Sequence, residues 1–168
     1  MKTPLILAGA LALALAVGLV STGWAKTPSS ELSKALVMRF WTEVWNSPYR
    51  LETIDELLAE DFIITTDGKD IVGRPAFKQW LQAFQSKVEG LEVVPQEVLV
   101  TEDGSRVITR MVASGRNRGM FGTTPDGAPV EFVAISIMQV RNGKLTHNWV
   151  ERSAYELHQR LTGSSSNR

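Results

Sequence analysis

His147, Trp149, Glu151 and Ser153 occupy alternate positions of the segment Lys144 to Tyr155, and a β-strand projects alternate residues from one face. Read as a strand, the segment puts Leu145, His147, Trp149, Glu151 and Ser153 in one row and Thr146, Asn148, Val150 and Arg152 in the other. His147 is the first candidate general base, because an imidazole titrates near neutrality; Glu151 is the second. Four strand residues at about 3.4 Å each hold the two roughly 13 Å apart, too far for a directly bonded pair. Plain structural roles stand beside these. His147 follows the Asn142-Gly143 turn by four residues, where a rim histidine satisfied by its neighbours does no chemistry. Glu151 fits a solvated ion pair equally well.

Trp41, Trp45, Trp80 and Trp149 offer a second kind of chemistry, since an indole gives a ligand a flat apolar wall and one hydrogen-bond donor. Aromatic residues at helical spacing belong mostly to cores. One or two of the four are therefore expected at a pocket wall, Trp149 first and Trp45 among the rest.

The elements that must position these residues are legible in the hydrophobic pattern. Glu31 to Asn46 places Leu32, Leu36, Val37, Phe40, Trp41, Val44 and Trp45 on one wide helix face, with Ser29 or Ser30 as a cap. Ser47-Pro48 closes it, and Leu51, Ile54, Leu57 and Leu58 mark a shorter second helix. Phe62 to Thr66 reads as a strand ending at the Asp67-Gly68 turn. Gly73-Arg74-Pro75 opens a third helix that carries Phe77, Trp80, Leu81, Phe84 and Val88 on one side. Beyond it, β-branched runs are punctuated by Asp103-Gly104, Pro125-Asp126-Gly127 and Asn142-Gly143. Four strands follow, Leu91 to Thr101, Arg106 to Arg118, Val130 to Arg141 and Lys144 to Tyr155, as an antiparallel meander. Helices ahead of such a sheet predict an α+β domain with the helices on one face. The even row Arg106, Ile108, Arg110, Val112, Ser114 and Arg116 then fits either a homodimer face or a solvated outer surface with snorkelling arginines.

Composition sets the outer bounds. A chain of 168 residues with 43% hydrophobic and 21% charged content makes one globular domain with a real core. Lys2 precedes an apolar run from Leu5 to Val20 and then Gly23 and Ala25, the pattern of a secretory signal peptide cleaved after Ala25. An uncleaved anchor is the alternative for a stretch of that length. The expected organisation is signal peptide 1–25, linker 26–30, domain 31–161 and a loose serine-rich tail 162–168, in a periplasmic or secreted protein without a membrane span once the signal is removed. The mature part holds 17 basic and 18 acidic side chains, a net charge of −1 that gives nucleic acid no field to follow. With no cysteine, disulfides, thiolate nucleophiles and cysteine-bound metals are excluded.

Phe40 to Asn46, Ile54 to Phe62, Gly73 to Phe77, Gly115 to Gly119, Val130 to Phe132 and Gly143 through Trp149, taken in order and spacing, resemble the SnoaL-like polyketide and ester cyclases. The resemblance implies the cone of nuclear transport factor two and ketosteroid isomerase: a curved sheet wrapped on three helices, with a pocket at its open end. It implies an intramolecular aldol closure that needs no metal or organic cofactor. It also implies that the row containing His147 and Trp149 turns inward, and that Met120 and Phe121 sit at the pocket rim. The family's base, an aspartate four residues after a tryptophan, corresponds here to Ser153 after Trp149. Its assisting histidine corresponds to Asn117 in Gly115-Arg116-Asn117-Arg118-Gly119. Serine and asparagine can hydrogen-bond a carbonyl or hydroxyl but cannot take its proton at neutral pH. The sequence therefore favours a pocket protein binding a small, largely apolar molecule, with Asn117, Ser153, Trp149, Trp45, Met120 and Phe121 as contacts. A cofactor-free cyclase or ester enzyme using His147 or Glu151 is the close alternative, and a protein-interaction module acting through the sheet face the third.

Overall fold

Six strands form one sheet in the order β2-β1-β6-β5-β4-β3: β1 Leu58–Thr66, β2 Lys69–Val72, β3 Val88–Val100, β4 Arg106–Asn117, β5 Pro129–Arg141 and β6 Lys144–Arg152. The computed structural model describes residues 29–163; the expected signal peptide, residues 26–28 of the linker and residues 164–168 of the tail lie outside the described residues. The four strands read from the turn chemistry form the antiparallel meander β3 to β6. Asn142 and Gly143 both take positive φ, 51° and 69°, as a two-residue hairpin requires, and Asp67 and Gly68 do the same between β1 and β2. β2, only four residues long, escaped the hydrophobic pattern. β1 joins β6 in parallel, so the curved sheet is mixed.

The helices cover the concave face. The first, α1 (Ser29–Arg39), runs directly into a π-helical turn, Phe40–Val44. Bonding from i to i+5 widens that turn and lays residues five apart over one another; the Phe40 and Trp45 rings meet at 6.4 Å. Phe40, Trp41, Val44 and Trp45 are all buried as a result. Helix α2 spans Thr53–Leu57, and α3, Arg74–Gln85, starts at Gly73 with a proline in its first turn. Where a strand was expected to run to Tyr155, the chain leaves the sheet at Ser153 and forms a fourth helix, α4 (Ala154–Thr162), which buries Leu157.

Ser29 does not act as the expected cap. Its Oγ donates to the Asp103 carbonyl at 3.1 Å, and Ser33 Oγ donates to that of Gly104 at 2.7 Å. These bonds pin the first turn of α1 to the β3–β4 hairpin. Gly104 must be glycine there: its φ is +69°, and a Cβ would lie 2.7 Å from the Ser29 carbonyl carbon.

One residue governs everything that β6 presents. Leu145 pairs with Val140 but His147 pairs with Gln139, so Thr146 is the extra residue of a β-bulge. Past a bulge the alternation changes phase. Leu145 is buried on the helix side of the sheet, and past the bulge Asn148, Val150 and Arg152 take that side, Asn148 buried and the other two half-buried, so the expectation that His147, Trp149, Glu151 and Ser153 turn inward is overturned.

Candidate functional site

The cone interior closes on a narrow cavity whose wall is drawn from every layer. Trp41 and Trp45 come from the π-helical turn, Trp80 and Phe84 from α3 two turns below its proline start, and Phe132, Ala134, Val150 and Arg152 from β5 and β6. The cavity volume is about 30 Å³. That is a slot, not a chamber: room for a few waters, or for something as thin as an aromatic ring once side chains give. Within the lining, Trp41, Ile64 and Met111 are buried, and Trp80, Phe84 and Arg152 are half-buried.

Polar atoms on the inner face are few and incompletely paired. Trp41 Nε1 donates to Thr109 Oγ1 at 3.3 Å, and Ser136 Oγ donates to Asn148 Oδ1 at 2.5 Å. Trp45 Nε1, Thr66 Oγ1, Asn148 Nδ2 and Arg152 Nε are buried without a hydrogen-bond partner among the described residues. A buried orphan donor costs about 1–3 kcal/mol. Arg152 lies with its guanidinium 5.6 Å from the Phe84 ring centroid and gives Nη2 to the Asp67 carboxylate. Among the described residues it is the only charged side chain lining the cavity.

The other candidates lie elsewhere. His147 stacks on Trp149, with centroids 3.7 Å apart at 10°, on the outer face of the sheet. Arg106 covers Trp149 at 5.6 Å. Thr65 Oγ1 gives its proton to Asp70 Oδ1 at 2.6 Å, so at 2.8 Å it accepts from His147 Nε2–H. Burial lowers the His147 pKa from its ordinary value; Asp70 opposes this and Arg106 adds to it. Glu151 is exposed on the same outer face. Ser153 Oγ is occupied by the backbone of Val133, accepting from its N–H at 3.0 Å and donating to its carbonyl at 3.3 Å. Asn117 is buried, but all its side-chain bonds serve the loop that follows it. Met120 is buried under that loop, and Phe121 packs edge-on to His158 of α4 at 5.4 Å. Of the four tryptophans weighed from sequence as pocket walls, Trp41, Trp45 and Trp80 line the cavity and Trp149, expected first, does not; of the other proposed site residues none does. Arg152 was missed, because only the bulge at Thr146 brings its row inside. Among the described residues no cluster of three or more His, Asp or Glu side chains is placed to hold a metal ion, and no helix is long and apolar enough to cross a membrane.

The sequence profile described as SnoaL-like polyketide cyclase matches residues 35–161. The chain belongs to that family. Solved structures share the SnoaL-like cone. A protein of Jannaschia sp. CCS1 named as a SnoaL-like polyketide cyclase is 17% identical, aligns over 83% of this chain and 98% of its own, and gives a TM-score of 0.74. IdmH of Streptomyces antibioticus, described as a polyketide cyclase, is 24% identical over 77% and 98%, with a TM-score of 0.66. An epoxide hydrolase of the LEH-like type from M. tuberculosis is 20% identical over 82% and 89%, with a TM-score of 0.64. Likeness at these identities carries the fold, and one cone serves chemistries as different as these names. No curated protein sequence matches the chain. The SnoaL-like cone is consistent with small-molecule binding or cyclase-like activity.

Proposed function

We propose that this SnoaL-like chain is an exported protein that binds a small, largely apolar molecule in its cone cavity without performing the ring closure of its family. The observation that carries the reading is the cavity wall: aromatic and aliphatic side chains with a single arginine, and neither a carboxylate nor a histidine. Proton abstraction beside a carbonyl needs a base within hydrogen-bond reach of the bound substrate. His147 and Glu151 stand on the opposite face of the sheet, and Ser153 and Asn117 carry no titrating group. The cyclase alternative has no base inside the slot. Export rests on Lys2, the apolar run Leu5 to Val20 and the small residues Gly23 and Ala25.

Binding is tested by following the Met111 and Val150 methyl signals by NMR during titration with benzyl alcohol. Both side chains line the slot, and ring currents from an entering aromatic should shift them. Ala134→Phe, which fills the slot from β5, is expected to abolish the shifts while costing about 1–3 kcal/mol of overpacking. Unmoved methyl signals in the wild type would sink the reading.

We also propose that the chain pairs with a second copy through the outer sheet face. Register sets Leu99, Ile108, Ile137 and Trp149 side by side across four strands, and Leu99 is 56% and Ile137 40% exposed. Such a contiguous apolar row marks a contact surface. The next row alternates Glu97, Arg110, Ile135 and Glu151, so a two-fold rotation can bring Arg110 onto an acid of the second copy. Sedimentation velocity should give a dimer for the wild type and a monomer for Ile137→Glu; a monomeric wild type at 100-micromolar order removes the proposal.

A further inference from the structure

Two orphan donors flank one ring in the slot. Trp45, only 7% exposed, meets Phe84 at 5.7 Å between centroids, and its Nε1–H has no partner. On the other side Arg152 lies over Phe84 at 5.6 Å with its side chain 11% exposed, and its Nε–H has no partner either. Both residues line the cavity. Asp67, with 60% of its side chain exposed at the β1–β2 turn, holds Nη2 alone. Nε and Nη2 share one edge of the guanidinium, the edge that a carboxylate grips with both oxygens. That edge is half-filled. A cation taken this far out of water needs its donors satisfied and its charge balanced, and one exposed aspartate at one nitrogen does neither fully.

We infer that the slot takes a small aromatic or short-chain carboxylate, its apolar part between Trp45, Trp80 and Phe84 and its carboxylate on the Nε edge of Arg152. The inference rests on the pocket-binding reading above and adds the ligand's charge to it. Neutral apolar molecules satisfy the rings but leave the buried Nε–H orphaned. A carboxylate supplies that acceptor, shares Nη2 with Asp67 or displaces it towards solvent, and reaches the Trp45 side with its ring. The narrowness of the space selects a flat or thin body. Pairing an ionised acceptor with a buried guanidinium is the strong class of hydrogen bond, so the charge should dominate selectivity.

The matched probes are benzoate and benzamide, equal in shape and different in charge, titrated at pH 7 against the folded domain with the Met111 and Val150 methyl signals as the readout. Benzoate is expected to bind at least about tenfold more tightly than benzamide. Arg152→Met should erase that preference, bringing benzoate to no tighter binding than benzamide. Asp67→Asn, at an exposed turn position that should not disturb folding, removes the competing negative charge at Nη2 and should tighten benzoate severalfold with little effect on benzamide. Equal binding of the two probes in the wild type overturns the charge inference and leaves the apolar pocket standing. Failure of both to shift the cavity methyls overturns the pocket reading itself, and the inference with it.

Discussion

Asn117→Ala is expected to lower the unfolding free energy by roughly 2–4 kcal/mol, the loss of several hydrogen bonds around a buried amide. Asn117 Oδ1 accepts from the backbone N–H of Gly119 and of Met120, each at 2.9 Å. Its Nδ2 reaches Thr123 Oγ1 and the Thr124 carbonyl at 3.0 Å and Asp126 Oδ1 at 2.9 Å. One side chain thus organises the whole connection between β4 and β5, and its removal orphans a buried Met120 amide. Asp126 is held below the usual carboxylate range by the Ala128 N–H first and by Asn117 second, so the loop loses an electrostatic tie as well. The denaturation midpoint should fall without a change in slope, and the Gly119 and Met120 amides should lose exchange protection. Asn117→Asp separates this role from a ligand contact. The new carboxylate keeps both accepting bonds but faces the Thr124 carbonyl and Asp126, so its folded pKa must lie above its unfolded one. Stability is then largely kept in acid and lost as pH rises through that folded pKa. A ligand-contact role predicts a binding defect at unchanged stability in both variants, which would refute the loop account.

Asn117 also shows where the sequence could be read and where it could not. Turn dipeptides are local chemistry, and Asn142-Gly143 and Asp67-Gly68 behave as their φ preferences require. Helix faces are nearly as local: Trp41 and Trp45 were legible as inward-facing because they share a stripe with Val37 and Val44. The placement of the β6 side chains was not legible, because a single extra residue at Thr146 decides which row enters the cone, and nothing in Lys144 to Arg152 announces a bulge. With that phase change went His147, Trp149 and Glu151, and in came Arg152. Asn117 failed for a different reason. An asparagine at a strand end has the same hydrogen-bonding groups whether it serves a ligand or its own loop, and local bonding is the commoner use. The passage from strand to α4 at Ser153 was hidden similarly, since Leu157 and Leu161 mark a helix only once Ala154 is known to have left the sheet.

Phe40→Ala should be the more costly of two substitutions made on adjacent turns, at about 3–5 kcal/mol of a domain stability that totals roughly 5–15 kcal/mol. Phe40 has no exposed surface and sits at the junction of three rings: Trp41 edge-on at 5.0 Å, Trp45 at 6.4 Å and Phe77 stacked at 6.0 Å. It fills the space behind the slot, so truncation leaves a void that the surrounding elements cannot close. Trp45→Ala removes a larger side chain but one that already borders empty space, and atoms facing a void have fewer dispersion contacts to lose. Its stability cost should fall below that of Phe40→Ala even though more surface is deleted. The functional order is the reverse. Trp45→Ala takes away a wall of the slot and one of its two unpartnered donors, and should abolish binding of an aromatic carboxylate in a domain that remains folded. Phe40→Ala should leave binding measurable wherever the domain is still native, because the ring never faces the ligand. Guanidinium unfolding and probe titration on the two variants check the crossing directly. A Trp45→Ala domain less stable than Phe40→Ala would mean that the slot is packed core, and that the cone of this protein encloses no site at all.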